Sequence, residues 1–139
     1  MRAGDDFNKE HAIETYKSLI QVALQGLKLL ALVNGGAAVA LLAYLGNVAG
    51  KGAATPDMRV PMISYLIGLT LCGLAFMTSY ATQFILHNEN IADMPRGSHK
   101  RLVLLTALLA LLSLAAFFVG SLFAASVFRM SQPPSVGGV

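Results

Sequence analysis

The stretch from Leu102 to Phe128, LVLLTALLALLSLAAFFVGSLFAASVF, decides the fold of this 139-residue chain. It contains no charged residue and lies between Arg101 and Arg129. A helix rises about 1.5 Å per residue and the hydrocarbon core of a bilayer is about 30 Å thick, so about 20 apolar residues are enough to cross it. The 27 residues of this stretch therefore predict a transmembrane helix.

Two further stretches have the same character. No Asp, Glu, Lys, Arg or His occurs in the 22 residues between Lys28 and Lys51, or in the 27 residues between Arg59 and His87. Only 12% of the chain is charged, against about 25% in a typical soluble domain. In lipid, backbone polar groups must pair within each isolated span, and a helix achieves this. We therefore predict an all-α integral membrane protein. One membrane domain over residues 1–139 is expected, with three transmembrane helices in a compact bundle at about 24–47, 61–86 and 102–128.

The segment before the first span has a different pattern. Over residues 7–22, apolar side chains recur at helical spacing opposite a polar face, which predicts an amphipathic extension of the first helix. The absence of proline as far as Tyr44 favours one continuous helix. The alternative is a break near Gly26 or at residues 34–36, which would leave the amphipathic part on the inner membrane surface. The first apolar stretch is too long for a signal-peptide core, so we expect it to be retained. Residues 130–139 are predicted to form a flexible tail.

The distribution of Lys and Arg predicts the orientation of the spans. Basic residues are enriched in cytoplasmic loops near span ends. One side of the predicted membrane has six of them, namely Arg2, Lys9, Lys17, Arg96, Lys100 and Arg101. The other side has three, namely Lys51, Arg59 and Arg129. We therefore expect a cytoplasmic N-terminus and an outer C-terminus.

Each predicted span has a stripe of small residues along one face. Helices in lipid associate by close backbone approach and hydrogen bonds, which small residues permit. These stripes are predicted helix-packing faces, either within the bundle or with copies of the chain or a larger membrane complex. Their members are Gly36, Ala40 and Ala43 in the first span, Ser64, Gly68, Cys72, Ala75 and Ser79 in the second, and Thr106, Ala110, Ser113 and Gly120 in the third.

A few polar residues within or near the spans are candidates for a functional site. Asn34 is the most unusual, because an amide inside a membrane is costly unless it is hydrogen-bonded. It is expected either to form an interhelical hydrogen bond or to line a pore. A second candidate group is predicted to lie at one depth near the inner face, and it consists of Gln25, Lys28, Gln83 and His87.

The sequence gives little indication of catalysis. Nucleophile-elbow, zinc-protease, phosphate-loop and dinucleotide motifs are missing, and Cys72 on the small stripe is expected to behave as a small apolar residue. No cofactor is expected. His87, Glu89, Asp93 and His99 match no metal-ligand spacing, so no metal site is predicted. The net charge of +3 is divided among the loops and indicates no nucleic-acid partner.

These features favour a small non-enzymatic protein of a bacterial inner membrane, which acts through helix packing as a homo-oligomer or as an accessory subunit of a larger complex. In outline, three short spans in a small chain resemble phage holins, and that resemblance implies a pore-forming function. The chain departs from the holin pattern because its C-terminal tail is uncharged and its C-terminus is predicted to lie outside. The alternative function is thus a pore-forming or depolarising protein, with Asn34 and the small-residue faces lining or closing the pore.

Overall fold

A computed structural model describes residues 3–52, 55–90, 97 and 99–130, with side chains from residue 10 onward except at residue 90. It contains three helices, α1 (Ala3–Gly50), α2 (Arg59–Asn90) and α3 (Lys100–Met130). All three are long and apolar enough to cross a membrane. The prediction of an all-helical chain with three helices of spanning length is therefore confirmed. Asp93, Arg96 and the predicted tail from residue 131 lie outside the described residues.

Helix α1 is one continuous helix of 48 residues, which corresponds to about 72 Å at 1.5 Å per residue. Neither Gly26 nor the Asn34-Gly35-Gly36 run interrupts it, so the structure has the continuous form of the two alternatives. A single glycine inside a helix costs only about 1 kcal/mol relative to alanine, and α1 contains no proline. The chain leaves α1 through Gly52, whose φ of 66° is in the left-handed region that glycine adopts readily.

Helices α2 and α3 share the most extensive helix–helix interface among the described residues. Hydrogen bonds near both ends tie them together in antiparallel orientation. Tyr65 and Ser121 join through their hydroxyl oxygens at 3.3 Å. At the other end, the hydroxyl of Thr106 donates to that of Thr78 at 2.8 Å. The two helices therefore form a hairpin, here called the α2–α3 hairpin (residues 59–90 and 100–130).

The turn of the hairpin is closed by the carboxylate of Glu89, at the end of α2. It accepts hydrogen bonds from the backbone N–H groups of Gly97 and His99, both at 3.0 Å. The ring nitrogen Nδ1 of His99 also lies 3.0 Å from it. Because a helix start carries partial positive charge and free N–H groups, an anion there is stabilised. Glu89 thus fixes the start of α3 to the end of α2.

Helix α1 contacts the α2–α3 hairpin only through its C-terminal half. Two buried clusters make this contact, one of Leu27, Cys72 and Ala75 and one of Ala38, Leu41, Met58 and Tyr65. None of the residues from 10 to 26 is buried. The expectation of a compact bundle is therefore not confirmed, because half of α1 lies beyond the packed region.

Close packing inside the hairpin depends on Gly120 of α3. A Cβ atom at this position would lie 2.8 Å from Cε1 of Tyr65 and 3.1 Å from Cβ of Ser64. The Tyr65 ring has little freedom to yield, because its hydroxyl bonds Ser121 and its face lies 5.8 Å from the ring of Phe117. Gly120 therefore sets how closely α2 and α3 approach.

We predict that Gly120→Ala destabilises the protein by about 1–3 kcal/mol, the usual cost of overpacking. The matched control is Gly73→Ala in α2, where an added Cβ meets nothing within 4 Å. This control should be neutral or slightly stabilising, since alanine favours the helix. The free energy of unfolding, measured by SDS titration in mixed micelles with helicity as the signal, tests the difference. Equal effects of the two variants would contradict close packing at Gly120.

Candidate functional site

Asn34 lies where α1 meets both helices of the hairpin. Its side chain is fully buried, at 0% exposure, although it sits in the interior of the first apolar stretch. Ser113 of α3 is equally buried, and Gly68 of α2 lies against both side chains. We call Asn34, Gly68 and Ser113 the polar junction.

Hydrogen bonds connect all three helices at the polar junction. Nδ2 of Asn34 donates to the carbonyl oxygen of Leu30 at 3.0 Å and to Oγ of Ser113 at 3.3 Å. The Ser113 hydroxyl in turn donates to the carbonyl oxygen of Gly68 at 2.8 Å. The amide thus holds α1 to α3, and the hydroxyl holds α3 to α2.

Gly68 provides the space into which the Asn34 amide fits. A Cβ atom at Gly68 would lie 2.7 Å from Cγ of Asn34 and still closer to its oxygen Oδ1. No side chain larger than hydrogen is compatible with this arrangement unless Asn34 moves. Gly68 is therefore required for the amide to lie between α2 and α3.

The oxygen Oδ1 of Asn34 is buried and has no hydrogen-bond partner among the described residues. An unpaired polar atom in an apolar environment costs free energy. The junction therefore holds α1 in one register while contributing less stability than a fully paired amide would. This unpaired acceptor, together with the limited buried contact of α1, makes α1 the most weakly held of the three helices.

The predicted packing residues of α2 and α3 lie on the faces that meet inside the protein. Gly68, Cys72 and Ala75 are buried in α2, and Ser113 and Gly120 are buried in α3. The thiol of Cys72 donates to the carbonyl oxygen of Leu27 in α1 at 3.1 Å. The remaining predicted members, which are half-buried, are Ser64, Ser79, Thr106 and Ala110.

The predicted small stripe of α1 requires a correction as an internal contact face. Gly36, Ala40 and Ala43 are all exposed, and a Cβ at Gly36 would meet nothing within 4 Å. The face that packs on the hairpin is instead that of Asn34 and Leu41. Residue size alone pointed to the wrong side of the helix, because burial of the amide and large apolar contacts determine the rotation of α1.

The second candidate group, predicted to share one depth, is not brought together. All four residues, Gln25, Lys28, Gln83 and His87, are exposed. The bond between Cys72 and Leu27 places the start of the α1 contact, next to Lys28, level with Cys72. Gln83 lies 11 residues further along α2, or about 16 Å of helix rise. The described residues therefore form no single polar site from this group.

The residues 87, 89, 93 and 99 that were weighed as metal ligands are arranged differently. Glu89 and His99 pair with each other at the hairpin turn, whereas Asp93 lies outside the described residues. Among the described residues, no group of three or more His, Cys, Asp or Glu side chains is placed to hold a metal ion.

Tyr65 and Thr78 are contact residues that the small-stripe pattern missed. Tyr65 was expected near the outer interface, but it is 5% exposed and bonds Ser121. The signal was present in the spacing, since Tyr65 precedes Gly68 by three residues and Cys72 by seven on the same helix face. A search for small residues alone passes over such a side chain.

In comparisons with known proteins, no family model, curated protein or solved structure matches this chain. Its function is therefore inferred from its own residues.

We predict that Gly68→Ala weakens the docking of α1 and that Asn34→Ala reverses most of this effect. The single change forces the amide against a methyl group, at a cost of about 1–3 kcal/mol. Removing the amide leaves room for the methyl group, so the cost of Gly68→Ala should be small in the Asn34→Ala background. A double-mutant cycle of unfolding free energies measures this coupling.

The control for this cycle is Gly46→Ala in α1, where an added Cβ meets nothing within 4 Å. It should couple to neither position. Additive effects of Gly68→Ala and Asn34→Ala would show that the amide does not lie against Gly68.

Proposed function

We propose that this chain is a small non-enzymatic protein of a bacterial inner membrane that acts by helix packing, as a homo-oligomer or as an accessory subunit of a larger membrane complex. The observation that carries the proposal is the outward position of Gly36, Ala40 and Ala43 on α1. A small-residue face permits close helix approach in lipid. Because no helix of this chain occupies that face, it is available to a helix of another chain.

The division of the molecule into a closed hairpin and a loosely joined helix supports the same function. The α2–α3 hairpin has hydrogen bonds at both ends and in its middle. Helix α1 is held by the polar junction and two small clusters, and its first half is exposed. We therefore assign the assembly contacts to α1 and the structural support to the hairpin.

The arrangement of buried polar groups supports packing over chemistry. The Ser113 hydroxyl, the Thr106 hydroxyl and the Asn34 amide each bond another helix. Groups engaged in this way are held in place by the bundle and are closed to a substrate. The polar side chains in the interior of the described spans thus have a structural use that agrees with a non-enzymatic role.

The placement of Asn34 also favours packing over the pore alternative. A pore-lining amide would face an aqueous path, whereas Asn34 is fully buried between its own α2 and α3. The residue on which the pore hypothesis depends is thus occupied inside one chain.

The proposed orientation places the N-terminus and the hairpin turn in the cytoplasm and the C-terminus outside. It is supported by the excess of Lys and Arg before α1 and around the α2–α3 turn. In this orientation, the first half of α1 extends toward the cytoplasm.

We predict that the double variant Ala40→Leu with Ala43→Leu removes the protein from its assembly. Two leucines on the outward face of α1 prevent close backbone approach, without touching the internal contacts of the chain. The measurement is the native mass of the full chain in nanodiscs extracted from the membrane, with identification of any protein that co-purifies. The wild type should exceed the monomer mass, and the variant should fall to it.

The matched control is Ala107→Leu with Ala115→Leu, which makes the same change at two exposed positions of α3. It should leave the assembly intact. A wild-type protein that is a lone monomer, or a control that disrupts the assembly as strongly as the α1 variant, would overturn the proposal. Loss of membrane potential on expression, abolished by Asn34→Leu, would instead support the pore function.

A further inference from the structure

The residues of α1 that contact the hairpin follow a heptad pattern. Their spacing alternates between three and four residues, which is the pattern of helices that pack side by side along a coiled-coil interface. All of them are buried or half-buried, and they are Leu27, Leu30, Asn34, Ala37, Leu41 and Tyr44.

The same pattern continues toward the N-terminus, beyond the packed region. The next positions in the series are Ala23, Ile20, Tyr16 and Ile13, which we call the N-terminal seam. Ile13 is 55% exposed and Tyr16 is 44% exposed. Ile20 is half-buried and Ala23 is exposed. A packing interface that α1 uses against its own hairpin therefore extends into a part of the helix where no buried contact covers it.

We infer that the N-terminal seam is covered by the same seam of a second copy of this chain, in a parallel, in-register, two-stranded coiled coil. This inference deepens the proposed assembly function and rests on it. It assigns the contact to the segment of α1 before Leu27, separate from the small stripe at residues 36–43.

The choice of residues in the seam favours two parallel strands. In the heptad, Ile13 and Ile20 occupy the same position as Leu27, Asn34 and Leu41, conventionally called a. Branched Ile side chains at a favour parallel dimers. Tyr16 and Ala23 occupy the d position, so the seam contains no charged residue.

The flanking charges agree with parallel copies in register. In such a pair, the residues next to the seam bring Ala12 of one chain to Lys17 of the other, and Leu19 to Leu24. No like charges meet in these contacts, and the leucines widen the apolar interface. Glu14 and the polar side chains of Ser18 and Gln21 occupy outward heptad positions.

The continuity of α1 argues for another helix as the occupant of the seam. Because α1 has no break between the seam and the predicted span, the seam segment continues along the axis of the span and does not fold onto the membrane surface. Copies inserted in one membrane with the same orientation present their seams at the same height. Shared insertion raises the effective concentration of the second copy, which compensates for a short interface.

Gly26 lies where α1 would change from one partner to the other. It stands between the N-terminal seam and Leu27, and a Cβ there would meet nothing within 4 Å. Glycine has the greatest backbone freedom of all residues. Two copies that meet along their seams can therefore separate above Gly26, where each α1 joins its own hairpin.

Cysteine cross-linking of the full chain in native membranes tests this inference. In a Cys72→Ser background, which keeps a hydroxyl able to donate to Leu27, single cysteines replace Tyr16, Ile20 and Ala23 in turn. The controls replace the neighbouring outward residues Glu14, Ser18 and Gln21. After copper-phenanthroline oxidation, we expect a disulfide-linked dimer several-fold more abundant at the seam positions than at the controls, by non-reducing gel electrophoresis.

Equal dimer at both sets of positions, or dimer at neither, would overturn the inference. Protection of the seam cysteines from maleimide without dimer formation would also overturn it, because the seam would then be covered by lipid, another protein or the hairpin. Cysteines at Ala40 and Ala43, together with the native mass, report on the small stripe independently. An assembly that persists in the native mass while the seam fails to cross-link would refute the seam pairing and leave the proposed function standing.

Discussion

The polar junction is the interaction on which the arrangement of the three helices depends. In lipid, apolar side chains give little preference for one helix rotation over another, since the surroundings are as apolar as the interface. An amide and a hydroxyl do give a preference, because they must find partners. Asn34 and Ser113 find them at one rotation of α1 and one separation of the helices, and Gly68 makes that separation possible.

The fold was largely predictable from the sequence because the spans are defined by missing charge. Long uncharged stretches such as 102–128 identify the helices directly, and the absence of proline agrees with the continuity of α1. The inward faces of α2 and α3 were also predictable, since Gly68 and Gly120 lie where two backbones approach each other. Small size was a valid guide there because both partners belong to the same hairpin.

The face of α1 was not predictable from residue size, because two different properties marked two sides of the helix. One side has the small residues around Ala40, and the other has Asn34 among larger apolar residues. Only the partners of the amide decide between these sides, and those partners are distant in sequence. Ser113 is 79 residues from Asn34, so no local pattern contains this contact.

The carboxylate of Glu89 also bears on how the chain reaches its folded form. It ties the end of α2 to the start of α3 through residues only eight and ten positions away. Contacts of such short range form with little loss of chain entropy. The hairpin can thus assemble as it enters the bilayer, with no contribution from α1. Helix α1, synthesised first, would then be the last to find its place.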